Sequence, residues 1–213
     1  MTAPGELGEV LREAQQLGFI GGTDLEAHVR HAEGFAAAIE ARAVPATGMD
    51  LGSGGGLPGL VLAARWPSCD WWLLDASERR TSFLTGAVER LGWSGRVGIL
   101  RGRAEELGHD PQWRGRMDVV TARSFGPPAV TAECGAGFLR PGGWLVVSDP
   151  PPSRSAPVAE RWPAAGLAEL GLEVAASAGS DSPTVQLCVL QQARPCPNRY
   201  PRRVGVPTKR PLF

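Results

Sequence analysis

Lysine, tyrosine and long apolar stretches are scarce in this 213-residue chain, which holds one lysine and one tyrosine. No stretch approaches about eighteen uncharged apolar residues, and the amino terminus has neither a basic start nor an apolar run. The sequence therefore predicts no membrane-spanning helix and no secretory signal, and we expect a cytoplasmic protein. The 22 basic and 22 acidic residues cancel, so bulk charge singles out no partner.

Cysteine is sparse as well, with four residues in the chain. Cys69, Cys134, Cys188 and Cys196 include no Cys-x-x-Cys pair, and no Cys/His cluster has the spacing of metal ligands. A structural zinc ion and a disulfide framework are therefore not expected, and we predict no metal site. The content of 43% hydrophobic and 21% charged residues is that of an ordinary globular protein.

The pattern of apolar residues divides the chain into three parts. Residues 1–45 predict a short helical cap, with a break at Gly21–Gly22 and Thr23–Asp24 as the start of the second helix. Residues 46–192 alternate short apolar runs with amphipathic stretches, which is typical of βα units on a parallel sheet. Residues 193–213 are rich in proline and arginine without apolar periodicity, and predict an extended basic tail.

Seven strands and four further helices are predicted within residues 46–192. The strands are TGMDL, CDWWLLD, RVGIL, MDVVTAR, GWLVVS, LEVAAS and TVQLCVLQQ, and the helices lie at about 58–65, 77–91, 127–139 and 158–170. Only AGSDSP separates the last two strands, which is too short for a crossover helix, so they should be antiparallel neighbours. An α/β fold with an open parallel sheet that ends in such a hairpin is the Rossmann-like arrangement of class I S-adenosylmethionine (SAM)-dependent methyltransferases.

A glycine-rich loop follows the first strand, in the sequence DLGSGGGLPG. Its glycines permit a close approach of the backbone to a ligand, and Pro58 suits the first turn of a helix. The loop also contains G-x-G-x-x-G at Gly54, Gly56 and Gly59. A nicotinamide dinucleotide site and a plain tight turn are therefore alternatives to a SAM site at this stage.

Acidic residues follow three successive strands and favour SAM. Asp50 would repel the diphosphate of a dinucleotide, whereas it suits the ammonium and sulfonium groups of SAM. Asp75 is placed to accept both ribose hydroxyls of an adenosine, which either cofactor contains. Glu105, in GRAEE, could face the adenine edge or simply begin a solvated helix. Because the carboxyl ends of parallel strands meet in one crevice, we expect the three carboxylates to share one site.

Four segments resemble the bacterial RsmG (GidB) family of 16S ribosomal RNA guanine-N7 methyltransferases, namely DLGSGGGLPG, LLDASERRTSFL, GRAEE and ARSF. The likeness covers roughly residues 25–150 and extends to the tail NRYPRRVGVPTKRPL. It implies cofactor contacts from Gly52, Gly54, Leu57, Asp75, Ala104 and Glu105. It also matches Arg123 to the family arginine beside the cofactor and the target base, which makes Arg123 the candidate catalytic residue. A salt bridge at a strand end is the alternative role for Arg123.

Three segments depart from the family pattern, and all of them lie toward the substrate side. They are Val147–Pro150 in place of Leu-Lys-Gly, Arg30–Ala32 in place of an aromatic-led Arg-His-Leu, and Gly126–Pro128 in place of Ala-Ser-Leu. A methyltransferase-fold relative with another substrate, such as a small molecule or another RNA, and a non-catalytic SAM-binding protein therefore remain open as alternatives.

Methylation at guanine N7 requires no general base, since N7 carries a free lone pair and no proton leaves. In-line positioning of the reacting atoms would supply the catalysis. The sequence agrees, because His28, His31 and His109 are predicted to be surface residues.

We expect a monomeric enzyme whose partner is ribosomal RNA or the small ribosomal subunit. Residues of the tail and of a basic rim would bind the RNA phosphates. The tail residues are Arg194, Arg199, Tyr200, Arg202, Arg203, Lys209 and Arg210. The rim residues are Arg101, Arg103, Arg114 and Arg116. The tail could instead fold back on the acidic N-terminal helices. If the tail contacts RNA, deletion of residues 194–213 should weaken RNA binding.

Overall fold

The computed structural model describes residues 4–150, 156–179 and 186–213. The helices are α1 (Pro4–Gln16), α2 (Leu25–Glu40), α3 (Gly59–Arg65), α4 (Glu78–Arg90), α5 (Ala104–Leu107), α6 (Pro128–Ala136), α7 (Val158–Arg161), α8 (Ala164–Glu169) and α9 (Val206–Lys209). The strands are β1 (Thr47–Leu51), β2 (Asp70–Asp75), β3 (Val97–Arg101), β4 (Met117–Ala122), β5 (Leu139–Asp149), β6 (Leu172–Gly179) and β7 (Gln186–Gln192).

The seven strands form one sheet in the order β3-β2-β1-β4-β5-β7-β6. Strands β1 to β5 run parallel, and β7 pairs antiparallel with both β5 and β6. The predicted sheet, including its antiparallel last strand, is therefore confirmed. Most of the predicted turn AGSDSP lies outside the described residues.

Apolar side chains cover both faces of the sheet, as parallel strands require. Along β4, Val119 belongs to the core beneath α1 to α4, whereas Val120 belongs to the core beneath α6 and α8. On β5, Val146 belongs to the core beneath α1 to α4, and Leu145 belongs to the core beneath α6 and α8. Both faces are thus buried, and the edge at the carboxyl ends of the strands is left as the place where a ligand can bind.

The N-terminal cap consists of α1 and α2, as the sequence predicts. The Asp24 side chain accepts a hydrogen bond from the Ala27 amide at 2.8 Å and caps α2, which satisfies one of the free amides of the first turn. Phe35 and Ile39 of α2 are buried. The cap packs on the same face of the sheet as α3 and α4 and shares their core.

The predicted helix at 127–139 ends at Ala136, and two further boundaries differ from the prediction for identifiable reasons. The single helix expected at 158–170 is two short helices, α7 and α8, because Pro163 lacks the amide hydrogen that a continuous helix needs. Strand β5 begins at Leu139, not at Gly143. The extra residues pair with the start of β4 across a register shift between Met117 and Val119.

The tail is not extended but is packed against the domain. Tyr200 is buried and its hydroxyl donates to Glu169 at 2.7 Å. Phe213 lies against Gly166, where an added Cβ would contact its ring. The tail residues contribute to the same core as α6 and α8. The proline-rich tail has no apolar periodicity, so its sequence does not predict this packing.

Candidate active site

The loop between β1 and α3 is held in place by contacts with the end of β2. Gly52, Gly54 and Gly56 adopt φ values of 66°, 56° and 95°, a region that favours glycine. The Gly54 amide donates to Asp75 Oδ2 at 3.0 Å, and the Ser53 amide donates to the Leu74 carbonyl at 3.0 Å. The predicted ligand-binding loop is therefore fixed directly above the carboxyl ends of two neighbouring strands.

Two clefts meet at Gly52. The arginine cleft has a volume of about 190 Å³, and its lining comprises Phe19, Ile20, Gly21, Gly52, Ser53, Gly54, Gly55, Leu57, Arg80, Arg123 and Ser124. The carboxylate cleft has a volume of about 60 Å³, and its lining comprises Gly52, Leu74, Asp75, Ala76, Gly102, Arg103, Ala104, Glu105 and Phe125. The structure thus brings together seven of the eight predicted site residues, all except Asp50.

Asp75 lies in the carboxylate cleft with both carboxylate oxygens already hydrogen-bonded. Oδ1 accepts from the Ser77 amide at 2.8 Å and Oδ2 from the Gly54 amide. Arg80 approaches Oδ2 at 3.5 Å. Oδ1 accepts one hydrogen bond and can accept a second, so Asp75 retains the capacity to bind a hydroxyl group of a ligand.

Asp50 does not line either cleft, which corrects the expectation that its carboxylate faces a cationic ligand. It is fully buried. Oδ1 accepts from the Thr121 hydroxyl at 2.8 Å and Oδ2 from the Gly59 amide at 3.2 Å. Strand pairing sets Asp50 beside Thr121, so the carboxylate faces the neighbouring strand and the start of α3. Burial raises the pKa of Asp50 to about 6, against the lowering effect of the hydrogen bonds from Thr121 and Gly59.

Arg123 follows β4 and lines the arginine cleft. Its Nη2 atom lies 3.0 Å from Nδ1 of His28, whereas Nη1 is buried without a hydrogen-bond partner. Burial lowers the pKa of Arg123, and the nearby Asp50 opposes this, yet an arginine remains charged in proteins. No ion pair of Arg123 with a carboxylate is found among the described residues, so the predicted alternative of a strand-end salt bridge is not met.

Ala104 and Glu105 form the far wall of the carboxylate cleft and open the short helix α5. Ala104 is buried. Glu105 Oε1 accepts a hydrogen bond from the Gly205 amide of the tail at 3.1 Å. The C-terminal segment therefore contacts a predicted cofactor residue, although no local sequence pattern predicts a contact between residues 100 positions apart.

Several residues of the clefts were not predicted as site residues. Arg80 and Phe125 lie in two of the segments that carry the family resemblance. The sequence therefore shows their motifs but does not indicate that these two side chains line the clefts. The Phe125 ring lies on Gly52, where an added Cβ would come within 2.9 Å of it. Phe19 and Gly21 carry no such signal, because only the packing of the cap brings them to the loop.

The histidines of α2 are not surface residues, contrary to the expectation. His28 and His31 are both half-buried. Burial lowers the pKa of His31 to about 4, and Arg123 and His28 contribute in the same direction. His31 is therefore neutral at neutral pH and stacks on Phe35, with 5.7 Å between the ring centroids.

The four arginines of the predicted rim do not lie along one edge. Arg101 ends β3 and therefore lies at the carboxyl edge, where it pairs with Glu78 at 2.8 Å. Arg116 immediately precedes β4 and lies at the opposite edge. Arg114 donates to carbonyl groups of the tail, including that of Tyr200 at 2.9 Å. Only Arg101 and Arg103 remain beside the clefts.

Within residues 4–150, 156–179 and 186–213, no group of three or more His, Cys, Asp or Glu side chains is arranged to hold a metal ion. None of the helices described there has the length and apolar character needed to cross a membrane.

The order of the strands, the antiparallel β7 and the clefts at the carboxyl edge define a class I methyltransferase fold. Solved structures share it. An O-methyltransferase from Bacillus cereus in complex with S-adenosylhomocysteine (SAH) has a TM-score of 0.63 at 16% identity, over 88% of this chain and 90% of that chain. A putative O-methyltransferase from Klebsiella pneumoniae has a TM-score of 0.62 at 14% identity, over 89% and 90%.

The sequence comparisons identify the family. A family model described as rRNA small subunit methyltransferase G matches residues 27–148. Two relatives named ribosomal RNA small subunit methyltransferase G come from Deinococcus deserti, 36% identical over 169 residues, and Parasynechococcus marenigrum, 33% identical over 168 residues. These alignments cover 78% and 77% of this chain but 68% and 66% of the relatives, so the chain spans about two thirds of their length. The chain belongs to the RsmG (GidB) family of methyltransferases, as the resemblance implied.

Proposed function

We propose that the protein transfers a methyl group from SAM to N7 of a guanine in 16S ribosomal RNA. The observation that carries the proposal is the pair of clefts that meet at Gly52. One cleft offers the carboxylates of Asp75 and Glu105, and the other offers the guanidinium groups of Arg80 and Arg123. This distribution matches a ligand with hydroxyl and amine donors at its adenosine end and a carboxylate at its other end.

The same geometry speaks against a nicotinamide dinucleotide. A dinucleotide places its pyrophosphate at the amino terminus of the helix after the glycine loop. Here the first amide of α3, that of Gly59, donates to the buried Asp50 carboxylate. A second anion at this helix end would meet the Asp50 carboxylate and would lack the Gly59 donor.

Individual residues fit the parts of SAM. Asp75 is the acceptor for the ribose hydroxyls, and Ala104 and Glu105 flank the adenine. Arg123 binds the carboxylate of the amino-acid end, because its Nη1 atom is a buried donor without a partner and arginine recognises carboxylates through charge-assisted hydrogen bonds. Bound SAM supplies a methyl group activated by its sulfonium.

The lining of the arginine cleft suits an acceptor atom that loses no proton. Among the described residues that line it there is no carboxylate and no imidazole. N7 of guanine has an in-plane lone pair and needs no base. The residues of the cleft would act by holding the acceptor and the methyl group in line, which is where proximity contributes most.

The relatives' names point to ribosomal RNA as the substrate. On the tail, Arg203, Lys209 and Arg210 are exposed and have no ion pair within the described part of the chain. The hydrogen bond from Gly205 to Glu105 sets this segment beside the carboxylate cleft. These three residues and Arg103 are therefore the basic residues that we assign to RNA phosphates.

Calorimetry with SAH and with NADH tests the cofactor. We expect SAH to bind and NADH not to bind. Asp75→Ala should weaken SAH binding, and Asp70→Ala, at the opposite end of the same strand, should not. Binding of NADH in preference to SAH would refute the cofactor assignment.

Transfer of a labelled methyl group from SAM to 16S ribosomal RNA, followed by nucleoside analysis, tests the reaction. We expect the label in N7-methylguanosine. Label in any other nucleoside, or transfer to small molecules alone, would contradict the proposal.

A further inference from the structure

We propose that His28 is a positioning residue that holds the Arg123 guanidinium in the arginine cleft and so makes helix α2 part of the cofactor site. The inference rests on the proposed function, because it assigns His28 a role in binding the amino-acid end of the cofactor.

His28 joins two parts of the chain through its two ring nitrogens. Nε2 lies 2.6 Å from the carbonyl oxygen of Gly21, and Nδ1 lies 3.0 Å from Nη2 of Arg123. A carbonyl oxygen only accepts, so Nε2 carries the proton. Nδ1 then has a free lone pair and accepts from the guanidinium. The two contacts require the same tautomer, which therefore fits both partners at once.

Arg123 depends on this contact for its orientation. Its side chain is long, and the contact with His28 is the hydrogen bond that the structure records for it among the described residues. With Nη2 held by His28, Nη1 is buried without a hydrogen-bond partner in a residue that lines the arginine cleft. Loss of the acceptor would release the guanidinium to several rotamers, and ordering it again on ligand binding would cost side-chain entropy.

The groups that surround His28 do not replace it. His31 is neutral, since burial and Arg123 lower its pKa to about 4, and its Nε2 atom has no hydrogen-bond partner. Asp50 is near enough to affect Arg123 electrostatically, but its oxygens accept from Thr121 and Gly59, and no hydrogen bond joins it to Arg123 in the described part of the chain. Among the described residues, His28 is therefore the group with which Arg123 forms its hydrogen bond.

The Gly21 end of the contact is also part of the cleft. Phe19, Ile20 and Gly21 form the wall of the arginine cleft that packs on the glycine loop. The chain of contacts Gly21–His28–Arg123 therefore ties this wall to the end of β4.

Two substitutions separate the contacts of His28. In His28→Asn the amide oxygen takes the place of Nδ1 and still accepts from Arg123. In His28→Gln the amide nitrogen takes the place of Nε2 and still donates to Gly21, while the acceptor beside Arg123 is lost. The probes are SAH, which has the amino-acid carboxylate, and 5′-methylthioadenosine, which lacks it.

We expect His28→Gln to weaken SAH binding about tenfold, the scale of one charge-assisted hydrogen bond, and to leave methylthioadenosine binding unchanged. His28→Asn should bind both ligands as the parent does. In an Arg123→Ala background, His28→Gln should have no further effect on SAH binding. Methylthioadenosine binding reports that each variant is folded with an intact adenosine site.

Equal loss for both ligands, or equal behaviour of the Asn and Gln variants, would show that His28 is merely structural. Suppose that the parent protein binds both SAH and methylthioadenosine while His28→Gln binds SAH as tightly as the parent does. In that case the proposed role of His28 is refuted and the cofactor assignment stands. If the parent binds neither ligand, the proposed function itself is wrong and this role of His28 is overturned with it.

Discussion

Asp50 shows how a residue that a motif marks for ligand binding can serve the scaffold instead. Its fully buried carboxylate joins β1, β4 and α3 through hydrogen bonds from Thr121 and Gly59. Burial without an ion pair disfavours the charged form, and so the pKa rises from its usual value of 3.8 to about 6. The residue therefore titrates in a range where most aspartates are already ionised.

This pKa predicts an unusual dependence of stability on pH. Because the folded pKa lies above the unfolded one, the folded state holds the proton more tightly, and the stabilisation is complete below about pH 4 and is lost as the pH rises through 6. The shift corresponds to about 3 kcal/mol. Asp50→Asn should remove this component. Urea unfolding of both proteins from pH 4 to pH 7 should show the parent losing stability relative to the variant as the pH rises. A constant difference would contradict the raised pKa.

Gly55 tests the contact between the cap and the glycine loop. A Cβ on Gly55 would come 2.6 Å from Ile20 Cγ1 and 3.0 Å from Ala14 Cβ, so Gly55→Ala should displace the cap and destabilise the fold by about 1–3 kcal/mol. Gly86→Ala is the control, since Gly86 lies in helix α4 with nothing within 4 Å, and it should stabilise by about 0.5–1 kcal/mol. Denaturant unfolding measures both changes. Equal effects of the two substitutions would mean that the cap does not pack on the loop as described.

At the scale of the elements, the tail is attached to α6 by an ion pair whose carboxylate is buried. Glu133 is fully buried, and Arg202 donates to it through Nη2 at 2.6 Å, Nε at 2.9 Å and its backbone amide at 2.7 Å. The pKa of Arg202 is raised, mainly by these hydrogen bonds to Glu133. Removal of the arginine side chain would leave the buried carboxylate without a cationic partner. An unpaired buried charge strongly destabilises the folded state.

Arg202→Ala should therefore lower the free energy of unfolding by about 3–5 kcal/mol, whereas Arg203→Ala, one residue further along and exposed, should change it by less than about 0.5 kcal/mol. Glu133→Gln in the Arg202→Ala background should recover part of the loss, because it neutralises the buried charge. Thermal and urea unfolding provide the comparison. Similar losses for Arg202→Ala and Arg203→Ala would argue that the tail is not held through Glu133.

The local pattern of apolar residues predicts the strands and the longer helices. It does not predict packing that depends on contacts between residues distant in sequence. Strand β1 was predicted to the residue, since its apolar run ends at the glycine loop. The docking of the tail depends on pairs such as Arg202 and Glu133, 69 positions apart. His28 and Arg123 are 95 positions apart. No local pattern records such pairs, which is why the site was predicted on the loop side and missed on the cap side.

For the molecule as a whole, the packed tail changes how its role in RNA binding can be tested. Deletion of residues 194–213 would remove the buried Tyr200 and the ion pair of Arg202, so it would unfold part of the domain in addition to any effect on RNA. Point substitutions that spare these contacts are needed instead.

The triple substitution of Arg203, Lys209 and Arg210 by alanine should weaken RNA binding with the fold intact. Each lost phosphate contact with single-stranded RNA should reduce the slope of log K against log salt concentration by about 0.7. Arg116→Ala, at the opposite edge of the sheet, is the control and should leave the slope unchanged. Filter binding to 16S ribosomal RNA over a series of salt concentrations measures the slopes. An unchanged slope for the triple variant would exclude the tail as an RNA contact.

Mapping of N7-methylguanosine in small-subunit RNA from cells with and without the gene tests the proposed methylation of a guanine N7 in 16S ribosomal RNA. We predict one such modification that disappears without the gene, returns with the parent gene and does not return with the Arg123→Ala gene. An identical set of N7-methylguanosine positions in the presence and absence of the gene would contradict the account.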